Sequence, residues 1–232
     1  MSKSDAILTV RAAAQVALFI VAVPLLPMIV SGDWSWWQAW SYLLSGLAAF
    51  AVSRGLAARR HPDLLAERAR FLTQKDTKRW DRVLAPLLAL CSILILAVAG
   101  LDRFSRRTPT LSLGVELAAL GGLLLGYAFS SWALIENGFF SGTVRIQTDR
   151  GQRVISSGPY RLVRHPGYAG GLLGYVATPL LLDSLWAFIP TLLLLVILVV
   201  RTALEDRTLQ AELAGYAEYA RRTRYRLLPG VW

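Results

Sequence analysis

Imidazole, phenol and carboxylate side chains gather in the last third of this 232-residue chain, in two stretches that simple topology does not account for. The first is SGPYRLVRHPGYAGG, Ser157–Gly171. Proline favours the first position of a helix, so Pro166 predicts a helix start with His165 at or beside its cap. Unpaired N–H groups and the positive dipole end would face out there, suited to a carboxylate or phosphate, with Arg161 and Arg164 adding attraction. Tyr168 follows His165 by three residues, so one pocket can receive both. Gly170 and Gly171 would let a backbone or a flat ligand come close. Each feature also has a plain reading: basic residues before a span mark topology, and paired glycines in a span serve helix packing.

The second stretch runs Arg201–Trp232, RTALEDRTLQAELAGYAEYARRTRYRLLPGVW. Glu205 and Asp206 sit just past an apolar run, where acidic groups are costly unless paired or used. Arg201, one turn earlier, offers an intrahelical ion pair with Glu205. A carboxylate here could instead accept hydrogen bonds from a ribose or an amine, or offset a sulfonium charge. Tyr216 and Tyr219 with Arg221, Arg222 and Arg224 predict an amphipathic tail lying on a membrane.

The elements that must position these groups are apolar. The chain is 55% hydrophobic yet carries a net charge of +10, and its eight Trp and eight Tyr suit two interfaces. Runs of about 20 apolar residues fall near Val10–Val30, Trp36–Ala57, Val83–Leu101, Leu111–Ile135, Tyr168–Leu182 and Leu185–Ala203. The fold class is thus all-α: a polytopic membrane protein with about six spans, the last two a tight hairpin whose first member is short. The chain reads as one membrane domain, 1–232: an N-terminal hairpin over 1–58, a connector over 59–82 and a core over 83–232 with its motifs in 137–232. Lys3 and Arg11 begin the first span, but its apolar stretch is too long for a cleaved signal and no A-x-A site follows. The connector Arg59–Arg82 predicts a surface helix after His61-Pro62, capped by Asp63, with its leucines and Phe71 at the headgroup boundary; a solvated connector is the plainer alternative.

Lys and Arg number eight in Arg59–Arg82, five in Asn137–Gly167 and five in Leu204–Trp232, against none, three and none in the other connections. Both termini are therefore expected inside, in the inner membrane if the cell is bacterial. The basic residues lie between spans without forming a basic domain with interleaved aromatics, which argues against nucleic acid. A single cysteine, Cys91, and two histidines, His61 and His165, exclude an intramolecular disulfide and argue against a metal centre.

GPYRLVRHPGYAG followed by LEDRTL and GYAEYARRTRYRLLPG resembles the isoprenylcysteine carboxyl methyltransferase family and its bacterial relatives, whose plan phospholipid and small-thiol methyltransferases share. The resemblance covers roughly Asn137–Trp232 and extends loosely over the third and fourth spans. It implies that Tyr160, Val163, Arg164, His165, Tyr168 and Gly170 surround S-adenosylmethionine, with Glu205 and Asp206 contributing from the last span and no metal needed. It further implies that Arg201 and Glu205 lie near a lipid-like or small acceptor bearing a carboxylate, amine or thiol, with membrane lipids as neighbours. The family's usual Glu-Glu is Glu205-Asp206 here. Two other classes stand beside this one: a sterol-reductase-type enzyme using NADPH, which usually has Asn at the position of Gly167, and a transport or structural protein, disfavoured because no internal symmetry or mid-span charged pathway is visible.

Overall fold

A computed structural model describes residues 20–69, 76–105, 107 and 109–232, and among them every regular element is helical. The order is α1 (Ile20–Ser31), α2 (Trp37–Arg60), α3 (Pro62–Ala69), α4 (Asp81–Ser105), α5 (Leu113–Glu136), α6 (Pro166–Leu181), α7 (Phe188–Glu212) and α8 (Tyr216–Arg222). Helices α2, α4, α5 and α7 have 24 to 25 residues and are apolar enough to cross a membrane. At 1.5 Å per residue they reach about 36 Å, more than a hydrocarbon core of about 30 Å. Their outward faces hold Leu125, Ile189, Leu192 and Val196, each at least 60% exposed, which only lipid would cover without penalty. This is an integral membrane protein.

Among the described residues, four of the six expected spans reach full length. Helix α6 has 16 residues, about 24 Å. Pro166 starts it and Pro179 lies in its last turn, where a missing N–H and a ring that clashes with the preceding turn discourage continuation. Residues 10–19 of the first expected span lie outside the described residues.

Helix α6 packs along α5 through a seam of small residues. A Cβ added at Gly126 would lie 2.6 Å from the Gly170 carbonyl oxygen, and one at Gly170 would lie 2.5 Å from that of Gly126. Both glycines are there to let two backbones touch. The main apolar cluster joins α1, α2, α4 and α7 through Met28, Leu43, Ile95 and Leu194, and Cys91 packs within it, 2% exposed. At the end remote from the basic connections, polar staples fix the bundle. Arg103 donates to Asp33, Gln38 to Glu116, and Ser184 to Asp102.

Two surface elements depart from expectation. In α3, Pro62 takes the first position, and Asp63 lies inside the first turn, where it meets the helix dipole without being the cap. Leu64 turns fully inward against Ala57 and Leu134, so α3 leans on the protein; Phe71 lies outside the described residues. In α8, Tyr216 and Tyr219 are 5% and 6% exposed and face inward, so the apolar side of the expected amphipathic helix packs on the protein.

Gly170→Ala should therefore lower the melting temperature, costing about 1–3 kcal/mol through overpacking. Gly171→Ala, whose added carbon meets nothing nearer than Tyr175 at 3.6 Å, should be tolerated.

Candidate active site

Consecutive residues on a helix point about 100° apart, so Glu205 and Asp206 serve different sides of α7. Asp206 points inward and is fully buried. Arg164 grips it with a fork, Nε to Oδ1 at 2.7 Å and Nη2 to Oδ2 at 2.9 Å. Arg226 and Gln210 donate to Oδ2 at 2.9 and 2.8 Å, and the Tyr216 hydroxyl donates to Oδ1 at 3.2 Å. The remaining guanidinium nitrogen of Arg164 donates to the carbonyls of Thr223 and Arg224, at 2.9 and 2.7 Å. The N–H groups of Arg164 and His165 donate to the carbonyls of Tyr225 and Arg226, both at 2.9 Å. One carboxylate thereby ties α7, the turn before α6 and the C-terminal segment into a single block.

On that block the reactive groups converge. His165 is the cap residue of α6, as its proline predicts. Its ring stacks on Tyr168, 7° from parallel with centroids 5.8 Å apart, and its Nε2 lies 3.4 Å from Asp206 Oδ1. The Tyr168 hydroxyl donates to Glu205 Oε2 at 2.5 Å and receives Arg201 Nη1 at 2.5 Å. Imidazole, phenol and carboxylate, spread over 41 positions of sequence, thus share one surface.

Arg201 does not pair with Glu205. It forks onto Asp81 at the start of α4, Nε to Oδ1 at 2.6 Å and Nη2 to Oδ2 at 3.1 Å, and it donates to the Gly142 carbonyl at 3.0 Å. Asp81 also accepts the Val144 N–H at 2.6 Å, so it fixes the α5–α6 connection and Arg201 together. That connection forms the opposite wall of the cleft without any strand. Arg145, 5% exposed, bridges Glu67 and Asp149 at 2.7 and 2.8 Å, and Gln147 donates to the Phe139 carbonyl at 2.7 Å.

The resulting cleft lies at the basic end of the bundle and encloses about 830 Å³ counting its open mouth. Tyr160, Arg164, His165, Tyr168 and Glu205 line it, as expected from sequence. Val163, Gly170, Arg201 and Asp206 do not. Val163 packs beneath it with Ala169 and Leu227, Gly170 belongs to the α5 seam, and the two charged residues hold the wall from behind. Arg164 is spent on Asp206, so it adds no free cation at the start of α6, and Arg161 is exposed outside the cleft lining. The lining also includes Asn137, Phe140, Tyr216 and Tyr219, which sequence reasoning missed. The 3-residue spacing of the two tyrosines was the available signal for that pair. Burial pushes the Tyr160, Tyr216 and Tyr219 phenols upward, so they stay protonated donors. Tyr219 donates to the Tyr160 carbonyl at 2.7 Å, and the Tyr160 hydroxyl accepts from Asn137 at 3.0 Å.

Residues 110–214 match the phospholipid methyltransferase family. That segment, a little under half of the chain, is similar to those methyltransferases. The matched segment takes in α5, α6, most of the cleft and all of α7, and it stops before α8. The chain is also 34% identical over 114 residues to the cobalt-zinc-cadmium resistance protein CzcN of Cupriavidus metallidurans, an alignment covering 48% of this chain and 44% of that protein. The shared part is thus less than half of that relative's length.

Removing a buried carboxylate strands the cations around it. Asp206→Ala should cost about 3–5 kcal/mol in unfolding free energy, seen as a large drop in melting temperature. Glu205→Gln, on the cleft side, should leave stability nearly unchanged.

Proposed function

We propose that the protein transfers a methyl group from S-adenosylmethionine to a lipid-like or small acceptor, at the cytoplasmic face of the membrane with both termini on that side. The observation that carries this reading is the convergence of His165, Tyr168 and Glu205 on one cleft at the basic end of the bundle. The positive-inside bias puts that end in the cytoplasm, where a nucleotide-like donor is available; in a bacterium the membrane is the inner one.

The cleft suits the donor. Phe139, Phe140 and four phenols offer surface to an adenine, and the buried Thr143 hydroxyl has no partner among the described residues, leaving a polar atom for a ligand. His165, Tyr168, Tyr160 and Glu205 would hold the donor. Bound there, S-adenosylmethionine supplies a methyl carbon activated by sulfonium, and in-line displacement joins it to the acceptor as the carbon–sulfur electron pair returns to sulfur.

The protein's own part is alignment and exclusion of water. Tyr168, gripped between Arg201 and Glu205, is held as a fixed donor to the carboxylate. Glu205 keeps a negative charge facing the cleft, complementary to a cationic donor. A carboxylate acceptor needs no base, while an amine or thiol must first lose its proton.

In detergent, S-adenosylhomocysteine at 100 times its dissociation constant should stabilise the protein by about 2.7 kcal/mol, and NADPH should not. His165→Ala and Glu205→Ala should insert normally and lose the shift. A shift with NADPH alone would point to a reductase, and retained binding in both variants would mean that the donor sits elsewhere.

A further inference from the structure

A second cleft opens between α2 and α5. Gly46, Phe50, Ser53, Arg54, Tyr127 and Ser130 surround about 580 Å³ there, again counting the open mouth. Phe140 lines both this cleft and the one at the basic end. The ring is tightly seated, since a Cβ added at Gly167 would lie 2.7 Å from it. On the neighbouring wall the Ser130 hydroxyl donates to the Gly167 carbonyl at 3.0 Å. Phe140 is therefore a partition one side chain thick between the two spaces.

Two guanidinium groups flank this partition. Arg54 donates to the adjacent Ser53 hydroxyl at 3.0 Å and lies 4.4 Å over the Phe50 ring. Arg68 donates to the Phe140 carbonyl at 3.2 Å and lies 5.4 Å over its ring. Neither has a carboxylate partner among the described residues, and they are near enough to feel each other's charge. The inward-facing arginines elsewhere differ: Arg103, Arg145, Arg164 and Arg201 each meet an aspartate or glutamate. Burial lowers the pKa of Arg68, as expected of a cation drawn from water without a counter-charge. Arg54 lines the cavity at this lipid-facing helix pair, and Arg68 sits against Phe140 in its wall, so the two offer cationic partners to an anion from outside the chain.

We propose that the α2–α5 cleft anchors the negatively charged group of an amphipathic acceptor. Arg54 and Arg68 hold its carboxylate or phosphate, and its apolar chain leaves past Phe50 into lipid. The role as acceptor subsite rests on the methyl-transfer reading. The acceptor's nucleophilic atom reaches past Phe140 toward the donor cleft. Its lone pair forms the new bond to the methyl carbon as the carbon–sulfur pair leaves on sulfur. An amine or thiol gives its proton to water, and the anchored anion takes no part. Snorkelling of Arg54 toward headgroups would instead leave oleate and oleyl alcohol bound alike.

The test uses the full chain in phosphatidylcholine nanodiscs with S-adenosylhomocysteine present, and measures binding of oleate, oleyl alcohol and inorganic phosphate. Oleate should bind at least tenfold more tightly than oleyl alcohol, and inorganic phosphate should neither bind nor compete. Arg54→Gln and Arg68→Gln should each weaken oleate about tenfold, Arg54→Lys should retain most of the affinity, and S-adenosylhomocysteine binding should be unchanged in all three. Unchanged oleate affinity in both glutamine variants, or equal binding of oleyl alcohol, would overturn the site. Phosphate binding that vanishes in Arg54→Gln would make it a site for free anions and overturn the lipid assignment. Arginine-dependent oleate binding by a protein that never binds S-adenosylhomocysteine would keep the anion site and remove its role as acceptor subsite.

Discussion

A charged group fully removed from water must be compensated on nearly every side, and in this protein that requirement falls on the Asp206 carboxylate. Five side chains meet it: two arginines, a glutamine, a tyrosine and a histidine. They come from the turn before α6, from α7, from α8 and from the segment after it. Because Arg164 also serves the carbonyls of Thr223 and Arg224, satisfying one carboxylate folds the C-terminal segment back against the start of α6. The groups that line the cleft inherit their positions from this block. His165 follows Arg164 directly, Tyr168 lies one turn on, and Glu205 precedes Asp206 on α7. A second buried pair, Arg201 with Asp81, repeats the arrangement on the other flank and reaches the α5–α6 connection through the Val144 N–H.

Much of this was legible in the sequence, because hydropathy and helix-start signals are local. The apolar runs located α2, α4 and α5 within a few residues and the start of α7, whose helix runs on past the expected Ala203 to Glu212, and Pro166 placed the α6 cap at His165. The box around His165 and the later acidic pair lie at the end of the bundle that carries the cleft. What the sequence obscured was the division of labour between adjacent residues. Glu205 faces the cleft and Asp206 faces away from it, and the direction depends on how α7 is rotated against α6. Val163 and Gly170 belong to the same box by spacing but pack against Leu227 and α5. The Arg201–Asp81 pair spans 120 positions, so no local pattern could announce it, and the nearer Glu205 was the natural but wrong partner.

The α5–α6 connection shows another limit of periodicity. It has no strand and only short 3₁₀ turns, yet it is held as firmly as a helix by side chains that replace backbone pairing. Arg145, Gln147 and Asn137 each satisfy buried polar groups within it or beside it. Polar residues in such a loop read as solvated when only composition is considered. Their burial here builds one wall of the cleft, the side from which the proposed displacement would be shielded from water.

The most direct test of the donor cleft is ultraviolet crosslinking of methyl-tritiated S-adenosylmethionine to the purified protein, followed by peptide mapping. The label is predicted on peptides carrying the cleft wall between residues 137 and 168, or on the stretch from Glu205 to Tyr219, and unlabelled S-adenosylhomocysteine should compete it away. Competable label confined to α1, α2 or the remote end of the bundle would contradict the account.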